Sequence, residues 1–178
     1  MRLELRPGVR VCESGTGSGS LSTSIAKAVM PSGRLYTFEF NEGRVGRAKT
    51  DFKTLGIAPY VTVTHRDVLS NGFLLGAADD NEGGVTESSI DAVFLDLPRP
   101  HVAVTHAFKV LRRKGKLCNF SPCIEQVQKA SQEMARLGFY NIKTIECLSR
   151  EINTRKHQYT PLTKQPAAEA QEESKDPV

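Results

Sequence analysis

Four carboxylates stand where four short apolar runs end: Glu13, Glu39, Asp67 and Asp96. The first opens a glycine-alternating stretch, Glu-Ser-Gly-Thr-Gly-Ser-Gly-Ser, residues 13–20. Gly15, Gly17 and Gly19 can supply the positive φ angles and bare backbone of a ligand-binding turn. The helical pattern after them (Leu21, Ile25, Val29) would point its N-terminal amides at a polar or anionic ligand. A glycine-rich turn alone is weak evidence, and any one acid reads equally well as a turn or cap former. Four acids at four successive run ends favour a binding site.

The spacing narrows the ligand. It is Gly-x-Gly-x-Gly, whereas a dinucleotide fingerprint is G-x-G-x-x-G, and no basic residue follows to hold a pyrophosphate. Glu39, about 20 residues past the glycines, suits the two hydroxyls of a ribose. Asp67 suits the exocyclic amine of a purine. An acid-lined pocket without a phosphate partner fits an adenosine carrying a positive sulfonium, which is S-adenosylmethionine.

These acids meet only if strands and helices alternate. Strands are predicted over 8–14, 34–40, 60–66, 90–95, 116–120 and 139–148, and helices over 19–30, 42–55, 101–111 and 123–137. Such alternation predicts an α/β doubly wound, mostly parallel sheet with helices on both faces. The ligand then sits at the carboxyl ends of the strands, near the point where strand order reverses. Residues 76–89 are polar, acidic and Gly-rich, and read as an exposed loop or disordered insertion. One domain over 1–160 is expected, with a disordered Ala/Glu/Gln/Lys/Pro-rich tail over 161–178.

The 178 residues, 39% hydrophobic and 25% charged, describe one globular domain. No apolar run approaches membrane-spanning length, so no membrane association is expected. The start, Met-Arg-Leu-Glu-Leu-Arg, is not a signal peptide. Cys12, Cys118, Cys123 and Cys147 lack CxxC spacing and read as reduced thiols of a nuclear or cytosolic protein, with no metal site. The net charge of +4 is uneven: the tail from Lys164 is acidic, leaving about +6 on residues 1–163. Basic clusters at Arg44/Arg47/Lys49/Lys53, Arg112/Arg113/Lys114/Lys116 and Arg150/Arg155/Lys156/His157 suit a phosphate backbone. Each taken singly reads as a solvated helix end.

Several blocks together resemble one family: residues 13–22, Phe-Glu-Phe (38–40), Asp67-Val68, Phe-Leu-Asp-Leu-Pro (94–98) and Phe-Ser-Pro-Cys-Ile-Glu-Gln-Val-Gln (120–128). They are similar to the catalytic subunits of eukaryotic tRNA adenine-N1 methyltransferases, which act on the T-loop adenine at tRNA position 58. The resemblance runs from about residue 8 to about 155. It implies a Rossmann-like class I methyltransferase fold, S-adenosylmethionine as cofactor and tRNA as substrate. It also implies a nuclear heterotetramer with a non-catalytic paralogous subunit. On this sequence, Ser18, Gly19 and Ser20 would line the methionine part, with Gly15 and Gly17 shaping the loop and Glu13 among the cofactor-binding residues. Glu39 would hold the ribose with Arg44 beside it, Asp67 and Val68 would frame the adenine, and Asp96 would serve cofactor and catalysis.

Three departures stand out: His101 stands where the family has Trp, the sequence starts almost at the first strand where the family carries an N-terminal domain, and no closing antiparallel strand is evident in 156–178. Chemistry supports Asp96 separately. Adenine N1 attacks through a lone pair and becomes cationic, so a nearby carboxylate stabilises the developing charge. Two other readings remain: a non-catalytic RNA-binding partner subunit, or a methyltransferase of the same fold acting on protein or a small molecule.

Overall fold

The computed structural model describes residues 3–76, 84–149, 152 and 156. Contacts divide the chain into Met1–Ile145 and Glu146–Val178, and every strand and helix below belongs to the first unit. In chain order these are β1 (Arg10–Ser14), α1 (Ser20–Val29), β2 (Arg34–Glu39), α2 (Glu42–Thr54), β3 (Val61–His65) and α3 (Val68–Asn71). Then come β4 (Ile90–Asp96), α4 (Pro100–Val110), β5 (Leu111–Phe120) and α5 (Ile124–Arg136). The five strands form one sheet, ordered β3-β2-β1-β4-β5, with every neighbouring pair parallel.

Parallel strands need crossover helices, and those helices cover both faces of the sheet. Alternate strand residues therefore feed two cores. Val11, Leu35, Val63 and Ala92 pack with Ile25, Ala26 and Val29 of α1 and with Val45, Ala48 and Phe52 of α2. Cys12, Tyr36, Phe38, Val93 and Leu95 pack with Ala103, Val104 and Ala107 of α4 and with Ala130 of α5. β2, covered on both sides, is buried from Leu35 to Glu39. Strand order reverses between β1 and β4, so the ends carrying Glu13 and Asp96 lie side by side. Among the described residues no helix is long and apolar enough to cross a membrane.

Three elements differ from the expectation. β5 starts at Leu111, five residues early, because Ile90 pairs with Leu111 and Ala92 with Lys116. The extra residues form a bulge at Lys114 (φ +65°), which reads in sequence as a basic turn. The short helix α3 is additional to the expected elements; the side chain of Asp67 caps it. The strand expected at 139–148 is absent, and residues 139–149 are irregular. Phe139, its first residue, instead packs edge-on against Phe108 of α4, ring centroids 5.6 Å apart. Half of the 76–89 loop (residues 77–83), the 161–178 tail and three members of the last basic cluster lie outside the described residues. Among the described residues, the sheet holds no antiparallel strand.

Candidate active site

β1 delivers Glu13 almost fully buried, 1% exposed. Its Oε2 accepts a 2.5 Å hydrogen bond from Ser22 Oγ of α1, and its Oε1 has no partner. Burial pushes this carboxyl from the ordinary 4.5 up to about 7; the Ser22 and Thr37 hydroxyls oppose the rise and the Asp96 charge adds to it. Ser22 sits on the buried face of α1 with Ile25, Ala26 and Val29. A serine in an apolar helix stripe is a sequence signal that marks such a partner.

The glycine turn then joins three strands. Gly15 N–H donates to the Phe38 carbonyl at 3.0 Å. At φ +96°, a Cβ on Gly15 would lie 2.4 Å from the carbonyl oxygen of Asp96. Gly17 N–H donates to Glu39 Oε2 at 3.0 Å. Glu39 Oε1 accepts from the Asn41 amide at 3.0 Å and lies 3.8 Å from Arg44 Nη1. Beneath the turn, the Thr16 and Thr37 hydroxyls share a buried 2.6 Å hydrogen bond. Gly19 caps α1 in the left-handed region with no side-chain cap, and a Cβ there would lie 2.9 Å from the Phe52 ring. Glu13, Gly15, Gly17, Glu39, Arg44 and Asp96 are thus brought together as expected.

The other expected residues are placed differently. Asp67 accepts from Leu69 N–H at 2.9 Å and from Ser70 Oγ at 2.7 Å, so helix capping occupies both of its oxygens. The Val68 side chain is buried in the core, which leaves only its backbone for a ligand. Ser18, Gly19 and Ser20 line an open groove of about 540 Å³ with Thr23, Ser24, Asp51, Phe52, Thr54 and Leu55. None of the four strand-end acids lines that groove. Asp96, exposed at the end of β4, pairs in register with Phe120.

His101 is the second residue of α4, half-buried, and its Nδ1 is buried without a partner. Cys123 is exposed at the N-cap of α5. Phe40, which sequence reasoning did not single out as a site residue, is 73% exposed beside Glu39. The His65 ring holds its carbonyl at 2.8 Å. Among the described residues, no group of His, Cys, Asp and Glu is arranged to hold a metal ion.

The buried Glu13 has a measurable consequence. Between pH 4.5 and about 7 the folded chain holds a proton that the unfolded chain has released. The native state then binds more protons, so this group's contribution to stability falls as pH rises through that window. The full penalty above it is on the order of 3 kcal/mol. Glu13→Gln is expected to raise the melting temperature by roughly 5 °C or more at pH 8, and by far less at pH 5. Equal shifts at both pH values in thermal melts would refute this.

Comparison with known proteins places this geometry. The family described as the tRNA methyltransferase complex GCD14 subunit matches residues 1–177. The tRNA (adenine(58)-N(1))-methyltransferase catalytic subunit of Dictyostelium discoideum is 49% identical over 160 residues, covering 90% of this chain and 49% of that protein. Its Kluyveromyces lactis counterpart is 38% identical over 166 residues, covering 87% and 40%. The chain therefore spans about half, or less, of the length of these curated relatives.

Among solved structures, a SAM-dependent O-methyltransferase from Thermotoga maritima has a TM-score of 0.72 at 28% identity, covering 84% of this chain and 51% of that one. The tRNA (m1A58) methyltransferase TrmI of Aquifex aeolicus has a TM-score of 0.61 at 24% identity, covering 75% and 48%, a likeness of fold. The five parallel strands with helices on both faces are thus those of a Rossmann-like class I methyltransferase fold. With a family match along nearly its whole length, the chain belongs to the GCD14 family of tRNA methyltransferase complex subunits.

Proposed function

We propose that this chain transfers a methyl group from S-adenosylmethionine to N1 of the T-loop adenine at tRNA position 58, as the catalytic part of a complex. The observation that carries this reading is the meeting of Glu13, the Gly15–Gly17 turn, Glu39 and Asp96 at the switch point of a GCD14-family chain. The site fits the cofactor on two counts. Glu13 keeps a buried oxygen without a partner, and Gly15 leaves bare backbone where any side chain would strike Asp96.

When bound, the cofactor supplies an electrophilic methyl on a sulfonium. Glu39, already held by two backbone amides, accepts from the ribose hydroxyls. Asp67 and the backbone of Val68 border the adenine, and Glu13 offers negative charge beneath the cationic end. Asp96 faces the substrate base: it accepts from the exocyclic amine and stabilises the positive charge that grows as N1 is methylated. The target adenine must leave its stack to get there. Arg44, Arg47, Lys49 and Lys53 of α2 are all exposed and suit the RNA backbone. The second basic cluster suits it less, because Arg112 is tied to Asp91 at 2.6 Å and Lys116 pairs with Glu4. The family's description as a complex subunit supports a partner subunit, and we propose that this partner is paralogous and non-catalytic and that the assembly is nuclear.

The test uses this chain with its partner subunit, unmodified tRNA and methyl-labelled cofactor. Label should enter the tRNA and primer extension should stop at the T-loop adenine, with the stop lost when that adenine is replaced by guanine. Label on protein alone, or a stop elsewhere, would overturn the reading.

A further inference from the structure

Gln126 lies in the first turn of α5, and nothing above assigns it a task. Its Nε2 donates to the Pro98 carbonyl at 3.0 Å, two residues past Asp96. A carbonyl only accepts, so the amide's orientation is settled by chemistry. Oε1 is therefore an acceptor, and it is buried without a partner.

In stability, one donated hydrogen bond contributes about 1 kcal/mol, while an unpaired buried acceptor costs about 1–3 kcal/mol. An apolar side chain of the same length would serve the fold at least as well. What the amide adds is a fixed distance between α5 and the turn after β4. The start of that turn is held by Asp96, which pairs with Phe120, and by Leu97, which packs partly buried against the core. At its far end, Arg99 caps α4 without a side-chain hydrogen bond. Gln126 is the side chain that reaches across to the middle of the turn.

We propose that Gln126 is a positioning residue for methyl transfer, fixing through Pro98 the direction in which Asp96 meets the substrate. This rests on the role given to Asp96 under the proposed function. It acts through the turn and touches no reacting atom.

Gln126→Met removes the donor and keeps the length. Gln126→Glu keeps the shape, but an ionised carboxylate cannot donate to a carbonyl, whereas its protonated form can. Assayed in the full chain with its partner subunit, both variants should lose about 10- to 100-fold in kcat, with calorimetric cofactor affinity unchanged. As pH falls from 8 to 5.5, the Gln126→Glu deficit should narrow while that of Gln126→Met stays flat. In NMR spectra, Gln126→Met should move the Arg99 amide resonance, because that N–H shares its peptide unit with the Pro98 carbonyl, with the core strands unaltered.

Wild-type kcat in both variants, a flat pH ratio for Gln126→Glu, or an unmoved Arg99 amide resonance would overturn the inference. If the wild-type protein methylates no tRNA, the parent reading fails, and the Arg99 resonance still decides whether Gln126 holds the turn.

Discussion

Asp96→Ala is expected to lower the rate of methyl transfer by about 10²–10³-fold while cofactor affinity stays within a few-fold. Asp96 is the exposed last residue of β4, and its side chain makes no hydrogen bond or ion pair among the described residues. Truncating it therefore removes no contact that the fold uses. The Glu39 carboxylate remains intact, held by the Gly17 and Asn41 amides. What disappears is a negative charge beside a base that becomes cationic. Asp96→Asn separates charge from hydrogen bonding, since an amide oxygen can still accept from the exocyclic amine; it should retain part of the lost rate. Single-turnover transfer of labelled methyl, set beside calorimetric cofactor binding, reads both quantities. An alanine variant with undiminished turnover would remove Asp96 from the mechanism.

Gly15→Ala should damage fold and site together. A Cβ at this position lies 2.4 Å from the Asp96 carbonyl oxygen, and the φ of +96° disfavours any side chain. The obstacle is backbone at the centre of the sheet, so it cannot swing aside as a flexible side chain would. Strain of about 1–3 kcal/mol from the dihedral and about 1–3 kcal/mol from overpacking make a loss of several kcal/mol in urea unfolding the expected outcome. Cofactor affinity should fall with it, because Gly15 N–H on Phe38 and Gly17 N–H on Glu39 set the shape of the turn. Gly46 is the control. It lies within α2, and a Cβ added there would meet nothing within 4 Å, so Gly46→Ala should stabilise by about 0.5–1 kcal/mol. Equal effects at the two glycines would mean that the close approach of turn and β4 is wrong.

The strand ends are readable because hydrophobic periodicity and turn residues are local. Glu13, Glu39 and Asp96 can be placed at one edge of a sheet from the sequence, since parallel strands joined by right-handed crossovers leave little choice. Asp67 falls at its strand end as expected. That it caps α3 is not readable, because a free acid and a capping acid look alike in sequence until the next turn is known. The segment 139–148 carries a strand-like alternation, yet Phe139 is taken up by Phe108. Thr37 and Gln126 escape notice in sequence for one reason: each acts on a residue 21 or 28 positions away, Thr16 or Pro98, and hydroxyls and amides occur everywhere in a chain.

By itself, then, the sequence determined the alternation of strands and helices, the glycine turn, and the acids at the strand ends, and it carried the family resemblance. Each of these is written in residues adjacent along the chain. Only the tertiary structure decided which groups meet: Gly15 against Asp96, Glu39 closing on the turn, Glu13 buried with an oxygen to spare, and Gln126 on Pro98. Those contacts depend on the order β3-β2-β1-β4-β5 and on the depth of burial. Both are set by packing both faces of one sheet at once, a condition that no local stretch of residues contains.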